Sequence, residues 1–435
     1  MLKIWHLTDT HFSESDRSAV LLDAVLEAFL AEADCDILLI SGDLSSNGRA
    51  REHAALLPRL RRVQAQGKRV YVITATHDYG LGFLQPCPDD GSDPLGRPDG
   101  KVYQSDLRGL YDEFGFRTAI AEYEKNSYVA QLSENVRLLA LNDDGDGREF
   151  CGFDEAQMAW ALEQIAKAKA EGQYIFGMTH HPSQPPSPVY PLISKRDMLG
   201  NYEENTRRLA NAGLRVLFTG HSHMHNIAPV TTPEGNPYWD VNTGAIGQFP
   251  MLYRVLTLAD NGLLHVETRR PPELTWEGKS LQEQVTVDFD FMLRNIVESM
   301  DADYDRFAHS VGGMSMSPEQ AYKLKFPLHL AGMFINRVTL GGLGTLLACR
   351  HKIPKAVRGD SFKELFLELI RNMYAGEENY SLETDTGKAL LAIAGRLNLP
   401  LKKVWSKIGA ESLPAFLLSI IYDDSPDHEA DIMLG

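Results

Sequence analysis

The sequence predicts an α/β fold with a largely parallel sheet, followed by a mainly helical region. From the N-terminus to about residue 270, short apolar strands alternate with amphipathic helices, which is the order typical of a parallel sheet. After Pro271-Pro272, apolar residues recur at helical spacing instead. We therefore expect one domain at 1–270 and a second at 271–435.

The first part of the α/β region contains three predicted strands separated by two helices. The strands are expected at 4–7, 36–40 and 69–74, and the helices at about 18–33 and 49–66. Helical connections make the strands parallel, and such sheets bind ligands beyond the carboxyl ends of their strands. Residues that follow each strand are therefore the first candidates for a site.

Further strands are predicted after a long irregular segment. They are expected at 127–132, 136–141, 174–179, 216–218, 238–242 and 253–258, with a helix at 154–172. Between them and the third strand, residues 84–118 are rich in proline, glycine and aspartate. Such an insertion beside a site is either a lid that selects the substrate or an irregular excursion without a role.

The region after residue 271 is expected to be structural. Its clearest helix is 361–375, where Ser361 and Glu364 resemble a capping box and Gly376 a C-cap. The histidines of this region stand alone in the sequence, so we expect no catalytic constellation there.

Composition excludes several classes of protein. The 435 residues carry a formal net charge of −16, which argues against a broad nucleic-acid surface. The four scattered cysteines form no CxxC pair, which argues against a zinc ribbon and fits a reducing compartment. Residue 1 leads directly into a strand without the layout of a signal peptide, and the apolar run 338–349 is too short to span a bilayer. We expect a cytoplasmic protein without membrane segments.

Acidic residues and histidines follow five of the predicted strands. In the pairs Asp-x-His and His-x-His, side chains at i and i+2 of an extended chain face the same side. Carboxylates and imidazoles without thiolates suit manganese, iron, cobalt, nickel or zinc, and two such ions clamp a phosphate. The residues are Asp9, His11, Asp43, His77, Asp78, His180, His221 and His223.

In their order along the chain, these motifs resemble the calcineurin-like metallophosphoesterase superfamily. The ordered set is Asp-x-His, Gly-Asp, His-Asp after the third strand, His-x-Pro and Gly-His-x-His. The resemblance spans Asp9 to His223 and implies a four-layer α/β/β/α sandwich over residues 1–270. It also implies a centre with two metal ions, whose bridging hydroxide attacks phosphorus.

The resemblance also implies a role for each residue. Asp9, His11 and His223 would hold one metal ion. Asp43 would bridge both ions, and His180 and His221 would hold the second. His77 would stand near the leaving group as an acid or phosphate-binding donor, and Asp78 would orient it.

One position departs from the family pattern. The family has Gly-Asn-His after the third strand, with the asparagine as a metal ligand, whereas this chain has Ala75-Thr76-His77. The neutral hydroxyl of Thr76 is a poorer and shorter ligand. Three interpretations remain open: Thr76 completes the site, directly or through water; the second site is weak; or catalysis has been lost.

The leading hypothesis is a phosphodiesterase for a small phosphodiester such as a cyclic nucleotide. A metallophosphoesterase domain followed by a helical domain is similar to some bacterial cyclic-nucleotide phosphodiesterases. The alternatives are a phosphomonoesterase, a nucleotide pyrophosphatase, or a metal-binding scaffold with weakened catalysis. The helical domain would cap the cleft, support homo-oligomers or stabilise the fold, and nucleic acid is not expected as a partner.

Several other residues give weaker signals. His181 is a candidate for substrate contact, and His225 is expected at the rim of the site. His6 is expected inside the sheet and His53 on a helix surface. The acids of the segment 142–144, which follows a predicted strand, are expected to be solvated, as is the acidic stretch 423–427.

Overall fold

The computed structural model describes residues 1–13, 15–80, 100–144, 151–193, 197–311, 318–377, 381–397, 419–420 and 426–435. The chain forms two compact units. The first comprises Met1–Pro186, Arg196–Gln284 and Pro426–Gly435, and the second comprises Ser187–Lys195 and Val285–Ser425. The insertion predicted at 84–118 lies outside the described residues up to position 99. From Gln104 to Leu110 it forms a helix, and its role stays a prediction.

The first unit contains a six-stranded sheet in the order β15-β12-β11-β1-β2-β3. Its strands are β1 (Leu2–Leu7), β2 (Ile37–Ser41), β3 (Arg69–Ile73), β11 (Tyr253–Leu258), β12 (Leu263–Arg269) and β15 (Glu429–Met433). Strand β1 runs parallel to β2, and β2 runs parallel to β3. The other three strands are added to β1 in antiparallel pairs.

A seven-stranded sheet has the order β4-β5-β6-β7-β8-β10-β9. Its strands are β4 (Ala119–Tyr123), β5 (Ser127–Ser133), β6 (Val136–Ala140), β7 (Tyr174–Met178), β8 (Val216–Thr219), β9 (Asn226–Thr231) and β10 (Pro237–Asn242). Strands β6, β7, β8 and β10 are parallel neighbours. A short hairpin, β13 (Thr275–Trp276) and β14 (Lys279–Ser280), follows the two sheets.

The two sheets pack face to face around one apolar core. Ile4 and Leu39 from the six-stranded sheet share this core with Phe176 and Phe218 from the seven-stranded sheet, and all four are fully buried. Strand β2 is buried along its whole length, because a strand in the middle of a covered sheet has no solvated face. This explains why its sequence is a continuous apolar run.

Helices cover the outer faces, which gives the expected four-layer sandwich. The helices of the first unit are α1 (Asp16–Ala31), α2 (Ala50–Ala65), α3 (Gln104–Leu110), α4 (Glu155–Ala170) and α6 (Tyr202–Ala212). Trp5 of β1 packs on Phe29 of α1, with ring centroids 5.4 Å apart. On the other side, Ile165 of α4 and Leu209 of α6 pack into the apolar face of the seven-stranded sheet.

The second unit is helical. It contains α5 (Tyr190–Ile193), most of α7 (Leu281–Ala302), α8 (Tyr304–Val311), α9 (Pro318–Lys323), α10 (Lys325–Arg337), α11 (Leu340–Leu346), α12 (Phe362–Ala375) and α13 (Asp385–Leu397). The N-cap and the C-cap of α12 are confirmed, since the Ser361 side chain accepts from the amide of Glu364 and Gly376 is left-handed. The capping box is incomplete, because the Glu364 carboxylate pairs with Arg294 instead of the Ser361 amide. None of the described helices has both the length and the hydropathy needed to cross a bilayer.

The last strand was missed in the sequence. Strand β15 pairs with β12 in the first unit, whereas residues 271–435 were all predicted to belong to the helical domain. Asp427, expected to be solvated, is 3 % exposed. Its carboxylate accepts from the backbone amide of Ile227 at 2.7 Å. The boundary at residue 270 stays a prediction.

Candidate metal centre

The carboxyl ends of the parallel strands in both sheets meet at one edge of the sandwich. The turn after β1 is hydrogen-bonded to the turn after β2, because the amide of His11 donates to the carbonyl of Asp43 at 3.0 Å. The Nδ1 of His180, after β7, donates to the carbonyl of Ser41 at 2.9 Å, and the amide of His221, after β8, donates to Asp9 Oδ2 at 2.9 Å. These bonds join the turns of the two sheets into one site.

The backbone of this site is strained in a way that aims the side chains. Left-handed φ values between 39° and 63° occur at Asp9, His11, Asp43, His221 and His223. Such values are uncommon for residues other than glycine, and they accumulate at functional sites. We infer that these strained conformations are kept because they direct the five side chains into the site.

Asp9, His11 and His223 form the first candidate group. Their ligand atoms lie within 4.8 Å of one another. Asp9 Oδ1 is 3.3 Å from His223 Nε2 and 3.7 Å from His11 Nε2, and the two Nε2 atoms are 3.0 Å apart. Three donors that converge in this way suit one cation.

Asp43, His180 and His221 form the second candidate group, with the same limit of 4.8 Å. Asp43 Oδ2 lies 3.2 Å from His180 Nε2 and 3.9 Å from His11 Nε2. Asp43 is therefore close to a histidine of each group, as a bridging carboxylate must be.

Two buried atoms of these groups have no hydrogen-bond partner: Asp9 Oδ1 and His180 Nε2. Because His180 Nδ1 donates to a carbonyl, Nε2 is the nitrogen that can bind a cation when the ring is neutral, and it approaches Asp43 without hydrogen-bond geometry. A buried polar atom without a partner is costly, and a metal ion at each group would satisfy one of the two atoms. The donor set therefore fits bound cations.

Electrostatics also favour positive charge here. Burial disfavours the charged form of His180, but the attraction of Asp43 and Asp9 outweighs it and raises the pKa of His180 to about 10. A metal ion bound at Nε2 would take the place of this proton and meet the same attraction. Burial would raise the pKa of Asp43, yet His180 and His77 hold it well below its usual range. Burial lowers the pKa of His11 to about 3, which keeps this imidazole neutral, as a metal ligand must be.

Gly220 allows the two sheets to approach at the site. A Cβ atom at this position would lie 2.0 Å from Thr8 Oγ1 and 2.4 Å from Asp9 Oδ2. Gly220→Ala is therefore expected to displace Asp9 and to lower metal affinity by about 10–100-fold, as is usual for groups that support a ligand. Titration calorimetry with Mn²⁺ measures this. Gly109→Ala, where a Cβ meets nothing within 4 Å, is the control, and equal affinities in both variants would contradict the steric role.

His77 lies in a third group of converging donors with His11 and Asp43, whose ligand atoms are also within 4.8 Å of one another. Its amide donates to Asp43 Oδ1 at 3.0 Å and its Nδ1 bonds the carbonyl of Ser46 at 2.8 Å. Its ring meets that of His11 edge-on, with centroids 4.7 Å apart. The imidazole is thus held close to His11 and Asp43, and its role as a proton donor to the leaving group stays a prediction.

Asp78 acts on the main chain around His77. Its carboxylate accepts from the amides of Ser45 and Ala75 at 2.7 and 2.9 Å. Burial and the nearby charge of Asp43 raise its pKa to about 8. Together with Thr76, which is 7 % exposed, these residues form a single 3₁₀ turn at Thr76–Asp78. The roles of Thr76 and Asp78 stay predictions.

The residues after β6 were wrongly expected to be solvated. Asp143 and Asp144 are 1 % and 0 % exposed. Asp143 accepts from the amide of His181 at 2.7 Å and contacts its Nδ1 at 3.1 Å. The His181 ring in turn packs on His221, with centroids 4.1 Å apart. The sequence did contain a signal for this contact, because Asp143 follows one strand and His181 follows the next, and neighbouring parallel strands end side by side.

Asp143→Asn is expected to lower the affinity for the second metal ion by about tenfold or more and to leave the first ion in place. The variant keeps the shape of the side chain but removes the charge that fixes His181 against His221. Counting bound Co²⁺ by its visible spectrum resolves the two sites. The exposed Asp260 offers a control, Asp260→Asn. Unchanged occupancy of both sites in Asp143→Asn would refute the coupling.

Two other histidines lie deeper than the sequence indicated. His53 was expected on a helix surface but is fully buried, with Nδ1 2.7 Å from the Tyr111 hydroxyl. His225, expected at the rim, is also fully buried and bonds the Thr268 hydroxyl at 2.8 Å. His6 lies inside the sheet, as predicted. The hydrogen bonds described for these three histidines do not include a residue of the first or second candidate group.

The model of the calcineurin-like phosphoesterase family matches residues 2–225, which is more than half of the chain and includes both candidate groups. The chain belongs to this family. It is therefore a metallophosphoesterase, an enzyme that hydrolyses phosphoric esters with bound metal ions. The comparison with curated protein sequences finds no match.

Solved structures similar to this chain include a dimetal phosphatase from Danio rerio. It is 13 % identical, with a TM-score of 0.43, over 62 % of this chain and 96 % of that one. A phosphopantetheinyl hydrolase from Mycobacterium tuberculosis is 16 % identical, with a TM-score of 0.32, over 56 % of this chain and 89 % of that one. The assignment rests on the family match.

Proposed function

We propose that the chain is a phosphodiesterase for a small phosphodiester such as a cyclic nucleotide. Asp9, His11 and His223 would hold one metal ion, His180 and His221 a second, and Asp43 would bridge them. The observation that carries the metal sites is the pair of buried, unpartnered atoms, Asp9 Oδ1 and His180 Nε2. The family's two metal ions supply positive charge to the phosphate and activate a water molecule for attack.

The charge at the site supports a diester. Within the described ranges, no lysine or arginine side chain contacts any of the six candidate ligands in a hydrogen bond or ion pair. A diester carries one negative charge, whereas a monoester at neutral pH carries close to two. A substrate with less charge needs fewer protein cations beside the metals, which favours the diester over the monoester.

The protein's own groups would orient the substrate and donate a proton. His77, fixed by the Ser46 carbonyl, would protonate the leaving oxygen or bind a phosphate oxygen. His181 is a candidate substrate contact, but its pairing with Asp143 and His221 supports a role in positioning instead.

The substrate class is tested by comparing bis-p-nitrophenyl phosphate with p-nitrophenyl phosphate under the same Mn²⁺ concentration. A kcat/KM at least about tenfold higher for the diester, and abolished in Asp43→Ala, would support the proposal. A higher value for the monoester would favour the alternative of a phosphomonoesterase. Preference for a dinucleotide pyrophosphate over both would favour a nucleotide pyrophosphatase.

Thr76→Asn is expected to tighten the second metal ion. The amide oxygen of asparagine reaches further than a threonine hydroxyl and is a better ligand. Metal titration of both proteins measures the second dissociation constant, which should fall by about tenfold. Thr76→Val, which removes the hydroxyl at similar size, separates the interpretations: a loss of the second ion would indicate that Thr76 completes the site. Equal affinity in all three proteins would show that position 76 does not bear on the metal.

A further inference from the structure

The helical unit contains a segment whose charge is opposite to that of the chain. No acidic residue occurs between Glu319 and Asp360. Although the whole chain has a net charge of −16, the segment 320–359 is cationic. Its seven lysine and arginine residues are Lys323, Lys325, Arg337, Arg350, Lys352, Lys355 and Arg358.

Part of this segment surrounds an open cleft of about 560 Å³. The cleft lies after α11 and is lined by Gly344, Thr345, Ala348, Arg350, His351 and Arg358. Lys352 and Lys355, in the same stretch of chain, are exposed. The size suits a small ligand, and the side chains that are charged at neutral pH are all positive.

The two guanidinium groups are held in place by hydrogen bonds to two carbonyls and one hydroxyl of the same unit. Arg350 Nη1 donates to the carbonyl of Gly341 at 3.3 Å and to the Thr345 hydroxyl at 3.1 Å. Arg358 Nε donates to the carbonyl of Ile353 at 2.9 Å. A guanidinium has five N–H donors, so each group keeps donors for a ligand. Because both side chains are already held, they lose little conformational entropy when a ligand binds.

Among the residues that the structure describes, no acid neutralises these cations. Across the described part of the chain, no carboxylate lies within 4.0 Å of Arg350, Lys352, Lys355 or Arg358. Like charges placed this close repel one another, and an anion would relieve that repulsion.

A second cleft in the same unit gives the contrast. This cleft, of about 200 Å³, is also lined by two arginines. There Arg294 pairs with Glu364 at 2.7 Å and Arg371 with Asp290 at 3.2 Å. In the smaller cleft both arginines are therefore paired with acids, whereas the described lining of the cleft at Arg350 contains none.

We propose that the cleft at Arg350 and Arg358 binds the phosphate group of an anionic ligand. Planar guanidinium forks match phosphate oxygens in pairs, and His351, which also lines the cleft, adds a donor. The ligand is either a free phosphorylated molecule or the headgroup of an anionic lipid. This site is built from residues other than those of the metal centre, and the proposal does not depend on the proposed substrate.

Two probes distinguish a free phosphorylated ligand from a lipid headgroup. Both are used with the full chain carrying Asp43→Ala and stripped of metal, so that the metal centre does not bind the probe. Inorganic pyrophosphate is titrated by calorimetry, and vesicles of phosphatidylcholine with and without phosphatidylglycerol are sedimented with the protein. Arg350→Gln together with Arg358→Gln should weaken binding by about tenfold or more, because each lost charged hydrogen bond has an effect of this order. Binding should also weaken as salt is raised.

Lys352→Gln with Lys355→Gln tests the charge without touching the backbone contacts of the arginines, and should weaken binding severalfold. Lys323→Gln, in the same unit but paired with Glu319, is the matched control and should bind like the parent. Loss of pyrophosphate binding in the arginine variant supports a free phosphate ligand, and loss of vesicle binding alone supports a lipid headgroup. Failure of both probes to bind, or binding by the arginine variant equal to the parent, would overturn the proposal.

Discussion

Asp43→Ala is expected to lower kcat/KM for a phosphoester by at least about 10³-fold and to reduce the metal content. Asp43 belongs to two of the three groups of converging donors, with His180 and His221 in one and His11 and His77 in the other. Charge stabilisation by a metal ion amounts to several kcal/mol, and each 1.36 kcal/mol changes a rate about tenfold. Loss of the shared carboxylate is expected to weaken the binding of both ions and so to remove their charge stabilisation of the transition state.

The measurement combines steady-state hydrolysis with metal analysis of the same sample. Asp36→Ala, an exposed aspartate just before β2, makes the same chemical change away from the site and should behave like the parent. Thermal unfolding of the stripped proteins shows whether the fold survives. A folded Asp43→Ala protein with full metal content and full activity would refute the bridging role.

His77→Ala is expected to lower kcat by about 10²–10⁴-fold while the metal content stays the same. The His77 ring is not in the first or second candidate group, but it lies edge-on to His11 and is fixed by Ser46. A proton donor to the leaving group changes the rate of the chemical step rather than the binding of metal.

Substrates with leaving groups of different pKa separate the two roles proposed for His77. If His77 donates a proton, the loss of rate in His77→Ala should shrink as the leaving group becomes more acidic. If it binds the phosphate, the loss should be the same for all leaving groups. His265→Ala, on β12 at the surface of the same unit, serves as the control. A drop in metal content equal to the drop in rate would contradict both roles.

The fold and the location of the site were predictable from short-range patterns. Strands β1, β2, β3, β7 and β8 were found within two residues of their predicted positions, because each is a short apolar run that ends in polar residues. Asp9, His11, Asp43, His180, His221 and His223 lie together because parallel strands end at the same edge of a sheet. Which ion each residue holds remains a prediction.

Burial of polar side chains was harder to predict. His53, His225 and Asp143 look like surface residues in the sequence, yet each is buried with a partner distant along the chain: Tyr111, Thr268 and His181. Such partners cannot be found by spacing. Strand β15 was missed for the same reason, since its pairing with β12 spans about 160 residues of sequence.

The most direct test is a titration of metal-stripped protein with Mn²⁺, following hydrolysis of bis-p-nitrophenyl phosphate and the number of bound ions together. We expect no hydrolysis without metal, two ions bound per chain, and activity that rises with the second ion rather than the first. Activity in the fully stripped protein, or a folded protein that binds no ion at these concentrations, would contradict a metal centre built from the six residues.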